Sequence, residues 1–462
     1  MKISRHKKYL YLILALVLTT ASLSSAGSFL PRYSEFKLKN GLKVIAVEDH
    51  RLPMLYFRMN ILTGTACDSA LPGLTAMTME ILRENTLNYP DGLMSVVVDS
   101  VGGILTTNVT RDACQIDGDF LSRDLETGLN CLGDMVMRAE FRDSDVNRIR
   151  RRLVSILTQA EAVYFGILWS ELYGRYYGAY GYGSYPYGTP GGLQNVTRQD
   201  ISSFYSKNYR PDNAQLIIGG DFELGKLKKM VEKIFGSWQS GQDICRPVVN
   251  AQYPDSLEIF LISRPGVTTS EFIIGRPGVV PGDKDYAQLL VLDYILGGGG
   301  RNSRLYRDLV RDAATCTFIG SAAECSRLGG VFYVHGGAYV ESSADALVGV
   351  LESMKMLGNV KISVAELQEA KNYFAGSQIR NYASYVAAVG NIAASTVCGQ
   401  TVEFPERVIE EIAKLTPDQL RDFARVYFDP SKMTIFITGP PEKLRRPLND
   451  IAPVHMKSAI AE

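Results

Sequence analysis

Residues 196–220 read VTRQDISSFYSKNYRPDNAQLIIGG, and residues 415–439 read LTPDQLRDFARVYFDPSKMTIFITG. In both stretches a threonine can cap a short amphipathic helix whose phenylalanine lies on the apolar face. A proline then ends the helix, and a run rich in apolar and β-branched residues follows as a strand. The two units are offset by 219 residues. This repeat predicts a tandem of two related domains of about 200 residues each, a normal domain size.

The patterns around the two units predict a mixed α+β layer in each half of the chain. Alternating or continuous apolar runs predict strands at 36–47 (with an Asn-Gly turn at 40–41), 55–62, 101–108, 113–121, 271–275 and 330–339. Apolar residues at helical spacing predict helices at 73–84, 144–162, 286–296, 303–311 and 364–385. A stretch rich in Gly, Ser, Gln and Pro at 236–255 is the expected linker. The predicted domains are therefore 33–238 and 256–445.

The first 26 residues have the pattern of a secretory signal peptide. Four basic residues open the chain: Lys2, Arg5, Lys7 and Lys8. An apolar run at 9–18 follows, and Ser24 and Ala26 stand at the −3 and −1 positions of a cut before Gly27. The run is too short for a comfortable membrane span. We expect export to a periplasm or secretion, with a retained N-terminal anchor as the alternative.

Charge and cysteine content limit the class of protein further. Without the predicted signal peptide the chain carries 45 basic and 49 acidic residues, a net charge of −4, which gives no reason to expect nucleic acid as a partner. The seven cysteines are widely spaced, and no CxxC occurs, so neither a disulfide framework nor a zinc ribbon is indicated. One or two disulfides can still form in an oxidising compartment, but the sequence does not pair them.

Five ordered motifs resemble the M16 (insulinase/pitrilysin-type, inverzincin) metallopeptidase family. NGLKV at 40–44, YPYG at 185–188, YRPDNA at 209–214, GDF at 220–222 and GGGRNSRL at 298–305 are similar to family segments, with Tyr185 where the family has His. The similarity covers about residues 33–445. It implies an α+β fold built from two LuxS/M16-like domains, each a mostly antiparallel sheet packed with helices.

The family's metal site is missing from this sequence. Active members carry an inverted zinc motif, H-x-x-E-H, in which two His bind zinc and the Glu activates its water. Aligning that motif with residues 73–80 places Ala76 at the first His, Met79 at the general base and Glu80 at the second His. The downstream family Glu falls on Leu157. The resemblance therefore implies no catalytic or metal-binding residue here, and Glu80 is expected to be a solvated or paired carboxylate.

Two second-domain residues are candidates for contact with a peptide substrate. In active members an Arg, and a Tyr seven residues later, hold the substrate backbone. Here Arg311 is kept and Phe318 replaces the Tyr, so the ring remains but its hydroxyl donor is lost. A plain surface or helix-capping role for Arg311 is the alternative.

Two further stretches can bind a partner or serve the fold. Residues 164–187 are dense in Tyr and Gly, which suits an adaptable binding loop or a loop packed against its own domain. Arg148, Arg150, Arg151 and Arg152 form a basic patch on the predicted long helix, normally a solvated face and otherwise a surface for an acidic partner.

The resemblance implies a non-catalytic subunit that faces an HxxEH-bearing, zinc-loaded subunit, closes the chamber between them and contacts an extended peptide. Zinc is then expected only in the partner. One alternative is an independent peptide-binding or scaffold protein, which can be a homodimer. Another is an active peptidase with a relocated metal site, for which three competent ligands are hard to find.

Overall fold

A computed structural model describes residues 28–160, 164–241 and 243–457. The predicted signal peptide at 1–26 lies outside these residues. Within them the chain forms two six-stranded sheets, each from one half of the sequence. The first sheet has the order β1-β2-β6-β3-β5-β4. Its strands are β1 Ser34–Lys37, β2 Lys43–Glu48, β3 Met54–Ile61, β4 Ile104–Val109, β5 Cys114–Leu121 and β6 Ala214–Gly220.

The second sheet repeats the first. Its order is β12-β7-β11-β8-β10-β9. Its strands are β7 Glu258–Ser263, β8 Thr269–Pro277, β9 Phe318–Cys325, β10 Gly330–Tyr339, β11 Thr434–Gly439 and β12 Val454–Lys457. The pairs β2 with β6 and β7 with β11 are parallel, and the strands beyond them towards β4 and β9 are antiparallel. The outer pairs differ, because β1 is antiparallel to β2 whereas β12 is parallel to β7. The predicted α+β tandem is confirmed, although the second sheet takes its last strand from beyond residue 445.

Helices pack against both sheets. Those of the first half are α1 Leu74–Ile81, α2 Leu93–Ser100, α3 Leu125–Met137, α4 Asp143–Ala160, α5 Tyr164–Tyr177, α6 Pro190–Asn195, α7 Arg198–Asn208 and α8 Leu224–Phe235. Those of the second half are α9 Tyr286–Asp293, α10 Ser343–Asn359, α11 Val364–Asn381, α12 Tyr385–Val397, α13 Phe404–Lys414, α14 Pro417–Tyr427 and α15 Pro441–Asn449. Thr197 and Thr416 each close a capping box, so both predicted repeat helices begin as expected.

Two helices cross between the lobes. α5 follows the first-half helices but packs on the second sheet, where Leu168, Leu172 and Tyr176 join a core with Ile273 and Phe436. In return α12 packs on the first sheet, where Val389 and Ile392 join Ile45, Val47 and Ile217. Each helix covers the sheet face opposite the main core of its host lobe. Residues 164–177 are therefore a helix on the other lobe, which corrects the expectation of a loop on its own domain.

A disulfide ties the linker to the first lobe. Cys67, just before α1, is bonded to Cys245 in the stretch between the two sheets. Cys114, Cys131 and Cys316 are buried free thiols, and Cys325 and Cys398 are half-buried free thiols. The linker bears no helix or strand between Phe235 and Glu258 in its described part. Among the described residues, no helix is both long and apolar enough for a membrane span.

Candidate functional site

The first turn of α1, the helix that aligns with the zinc motif, is hydrogen-bonded to the buried carboxylate of Asp68. Asp68 accepts hydrogen bonds from the Gly73 N–H at 2.9 Å, the Thr75 N–H at 3.0 Å and the Thr75 hydroxyl. Gly73 has a φ of 100°, which favours glycine. Burial raises the pKa of Asp68 to about 7, and the three donors oppose that rise. The first turn of α1 is therefore held by a side chain rather than left open for a ligand.

The positions of the first His and of the general base are filled by core residues. Ala76 is 0% exposed and Met79 is 1% exposed, and both belong to the main core of the first lobe. The Tyr209 hydroxyl donates to the Met79 sulfur at 2.8 Å. Leu157, at the downstream Glu position, is also buried in that core. These side chains fill the core and offer none of the usual zinc ligands.

Glu80, at the second His position, is paired. Its carboxylate accepts from a guanidinium nitrogen of Arg152 on α4, so α1 and α4 are joined across 72 residues. Tyr187, in the YPYG segment, is half-buried nearby, and both burial and the Glu80 charge raise its pKa. The structure thus places an ion pair where the alignment places a zinc ligand.

Two further arginines of α4, Arg148 and Arg150, also have partners. Arg148 bonds to Glu84 at 2.7 Å and to Asp145 at 2.9 Å. Arg150 donates to the Leu193 and Val196 carbonyls at 3.0 and 2.6 Å, which fastens α4 to the end of α6. Arg148, Arg151 and Arg152 are exposed, as expected of a solvated face. The paired members of the patch also stabilise contacts within the first lobe.

Histidine and carboxylate side chains form pairs rather than larger groups. His50 Nδ1 lies 2.6 Å from Asp221, and His335 Nε2 lies 3.5 Å from Glu271 in the other lobe. Burial lowers the pKa of His335, and Glu271 opposes that shift. Over the described ranges no three His, Cys, Asp or Glu side chains are grouped so that they could hold a metal ion.

The strand beside α1 has an open edge. β4 is the last strand of the first sheet, and throughout the described chain no backbone group of Ile104–Val109 bonds outside its ladder with β5. Next to the start of β4 lies a cavity of about 220 Å³ between β4 and α2. Apolar Met94, Val98 and Leu105 line it, together with Arg83 and Asp99. This edge and cavity were not foreseen from the sequence, because they depend on where α2 lies against the sheet.

The two predicted substrate contacts lie in the second lobe. Arg311 is exposed and bonds to the neighbouring Asp312 at 2.6 and 2.9 Å. Phe318 begins β9, is partly exposed and packs edge-on to His335 with ring centres 5.0 Å apart. Gly337 makes room for it, since a Cβ there would lie 2.3 Å from the Phe318 ring. Their proposed contact with a peptide stays a prediction.

The turn between β4 and β5 joins the lobes. The Arg111 guanidinium lies 3.5 Å from the Tyr173 ring centre and 4.3 Å from that of Trp169, both on α5, and donates to the Tyr182 carbonyl at 2.7 Å. Asp112 accepts from the Tyr182 hydroxyl at 2.6 Å and from the Arg327 N–H of the second lobe at 2.8 Å.

Glu324 of β9 completes this junction from the second lobe. It accepts from Trp169 at 3.2 Å, from Tyr173 at 3.0 Å and from Tyr333 at 3.2 Å. The aromatic rings that hold Arg111 are therefore themselves held by the second sheet. The sequence predicted the strands at 101–108 and 113–121 on either side of this turn, but not the role of the turn between the lobes.

Two repeated α+β lobes that exchange one helix each define a two-domain α+β protein. Residues 195–374 match the family described as "Peptidase M16 inactive domain". The crystal structure of a peptidase M16 inactive domain from Pseudomonas fluorescens has the same fold, with a TM-score of 0.81 at 22% identity over 88% of this chain and 98% of that chain. The chain is thus similar to the M16 peptidase family in fold, and in sequence over residues 195–374.

Relatives of both kinds, peptidases and non-peptidases, resemble this chain. The mitochondrial-processing peptidase subunit beta of Saccharomyces cerevisiae is 22% identical over 421 residues, which is 87% of this chain and 90% of the yeast protein. The non-peptidase homolog YmxG of Helicobacter pylori is 18% identical over 404 residues, 87% of this chain and 92% of that protein. Proteins named as zinc proteases match at comparable identity. Similarity alone therefore does not assign or deny catalysis.

Proposed function

We propose that this chain is the non-catalytic subunit of an exported M16-type peptidase assembly, in which a second, HxxEH-bearing subunit carries zinc and cleaves the peptide. One observation carries the proposal: the aligned zinc-motif positions hold buried Ala76 and Met79 and a Glu80–Arg152 ion pair, while the surrounding two-lobed fold is intact. The chain's role is then to close the chamber, contact the substrate and stabilise its partner by mass action.

Two features support the finer parts of this proposal. The open edge of β4 can pair with an extended peptide, because unsatisfied backbone groups on a strand edge accept an added strand. The Cys67–Cys245 bond fits an oxidising compartment, which favours export over residence in a reducing cytosol.

The test is to tag the full chain in its native cell, purify it gently and identify its companions by mass spectrometry. We expect a stoichiometric companion with an intact HxxEH motif. Zinc should be found with that companion, and cleavage should require both subunits. Isolation of the chain alone, or zinc-dependent cleavage by the chain alone, would contradict the proposal.

A second candidate is an independent peptide-binding or scaffold protein. The open β4 edge with its adjoining cavity favours it, since neither feature needs a peptidase partner. A homodimer that retains unfolded peptides and purifies without a zinc-bearing companion would select this candidate.

A further inference from the structure

We propose that the cavity between α2 and β4 receives the C-terminal residue of a peptide added to the β4 edge, with the peptide's terminal carboxylate on Arg83. The proposal rests on the proposed function, because it names the kind of peptide that the chain contacts. It concerns which end of a peptide is recognised and by which side chain.

The two lobes differ in what lies against their edge strands. In the second lobe Asp293 of α9 lies against the corresponding strand, β9, and accepts from the Ser321 hydroxyl at 2.5 Å. The related edge of β4 has no such side-chain partner among the described residues, where Asn108 bonds to Gln115 of the neighbouring β5.

The cavity is suited to one apolar side chain. Met94 and Val98 of α2 form one wall and Leu105 of β4 forms another, and all three are buried. Its volume of about 220 Å³ is well above the roughly 15 Å³ needed for a single water. Gly103 also lines it, beside the first residues of the open edge. A strand on β4 would thus place an end residue beside an apolar recess.

The charged groups on the cavity wall are Arg83 and Asp99. Neither has an ion pair among the described residues, and they are not paired with each other. Arg83 can bind a carboxylate through two parallel N–H donors. Asp99 can accept the N–H of the same terminal residue. One terminal residue therefore gives Arg83 an anion and Asp99 a hydrogen-bond donor, whereas an amidated terminus would leave Arg83 without an anion.

The experiment uses the purified, oxidised full chain and a randomised pool of short fluorescein-labelled peptides that end in leucine. One pool has free C-terminal carboxylates and the other has C-terminal amides. Fluorescence anisotropy should show the free-acid pool binding about tenfold more tightly, the effect of one charge-assisted contact. Arg83→Gln should remove this preference, and Arg151→Gln, at an exposed arginine of α4, should preserve it.

A second pair of variants tests the cavity itself. Ser95→Leu fills the wall of the cavity, and Ser100→Leu adds the same side chain at the exposed end of the same helix. Ser95→Leu should weaken binding of both pools, and Ser100→Leu should not. Equal binding of acid and amide pools by the wild type, a preference that survives Arg83→Gln, or no binding of either pool would overturn the proposal. Co-purification with a zinc-bearing subunit would still stand in each case, so the two failures are distinguishable.

Discussion

At the scale of single residues, Arg111 links the two lobes through a buried cation. Arg111→Met keeps the length of the side chain but removes the charge and leaves the Tyr182 carbonyl without its donor. We expect the free energy of unfolding to fall by about 3 kcal/mol, as for other broken buried polar contacts. Urea unfolding measures the change. Arg123→Met, at an exposed arginine, should cost little, and equal stability of the two variants would contradict the assignment.

Asp68 predicts a pH-dependent stability. Because burial raises its folded pKa to about 7, above roughly 4 in an unfolded chain, the folded protein keeps a proton that the unfolded chain has lost. The stability from this group is complete below about pH 4 and is lost as pH rises through 7. Relative to Asp68→Asn, the wild type should lose about 4 kcal/mol of unfolding free energy between pH 4 and 8.

Chemical denaturation at a series of pH values measures the Asp68 effect. Asp143→Asn, at an exposed carboxylate, is the control and should follow the wild-type curve. Parallel curves for the wild type and Asp68→Asn would show that Asp68 does not titrate as proposed.

Residue identity predicted part of the candidate site. Ala76, Met79 and Leu157 carry none of the usual zinc-binding groups, and that is visible without a structure. The sequence could not show that Arg152 pairs with Glu80, because contact across 72 residues depends on how α1 packs against α4. Nor could it pair Cys67 with Cys245, since seven cysteines allow many pairings.

At the scale of elements, Gly219 of β6 sets the distance between the first sheet and α12. A Cβ there would lie 2.8 Å from Val389 and 3.2 Å from Tyr385. Gly219→Ala should therefore lower the free energy of unfolding by about 1–3 kcal/mol through overpacking. Combining it with Val389→Ala should cost less than the sum of the two changes, which a double-mutant cycle in urea measures.

Gly191→Ala is the matched control for the Gly219 variant. Gly191 lies in α6 with open space around its would-be Cβ, so alanine there should leave stability unchanged or slightly raised. Equal losses for Gly191→Ala and Gly219→Ala would show that α12 does not press on the sheet at this point.

Periodicity predicted most elements but not their partners. The hairpin around Thr110 and the strand at 330–339 fall within a few residues of their expected bounds, because alternation marks a sheet face. α5 was missed because its Tyr-rich sequence looks like an adaptable loop. Its host, the second sheet, is encoded more than 80 residues later, and no local pattern specifies that choice.

At the scale of the whole molecule, the Cys67–Cys245 bond closes a span of 178 residues. A crosslink over a loop of that length stabilises the folded state by up to about 5 kcal/mol in the chain-entropy treatment. We expect dithiothreitol to lower the free energy of unfolding by about 3–5 kcal/mol. A Cys67→Ser, Cys245→Ser double variant should show the lower value with or without reductant, and a wild type insensitive to reductant would contradict this.

The exchange of α5 and α12 bears on the origin of the chain. Each half lends one helix to the other and receives the counterpart in return, as two identical protomers do in a domain-swapped dimer. A half-length ancestor with this arrangement would have been an obligate homodimer, because its exchanged helix would pack only on the sheet of a second copy. Gene duplication and fusion would then have joined both copies in one polypeptide, in which the two halves could diverge in sequence while the exchanged helices kept them together.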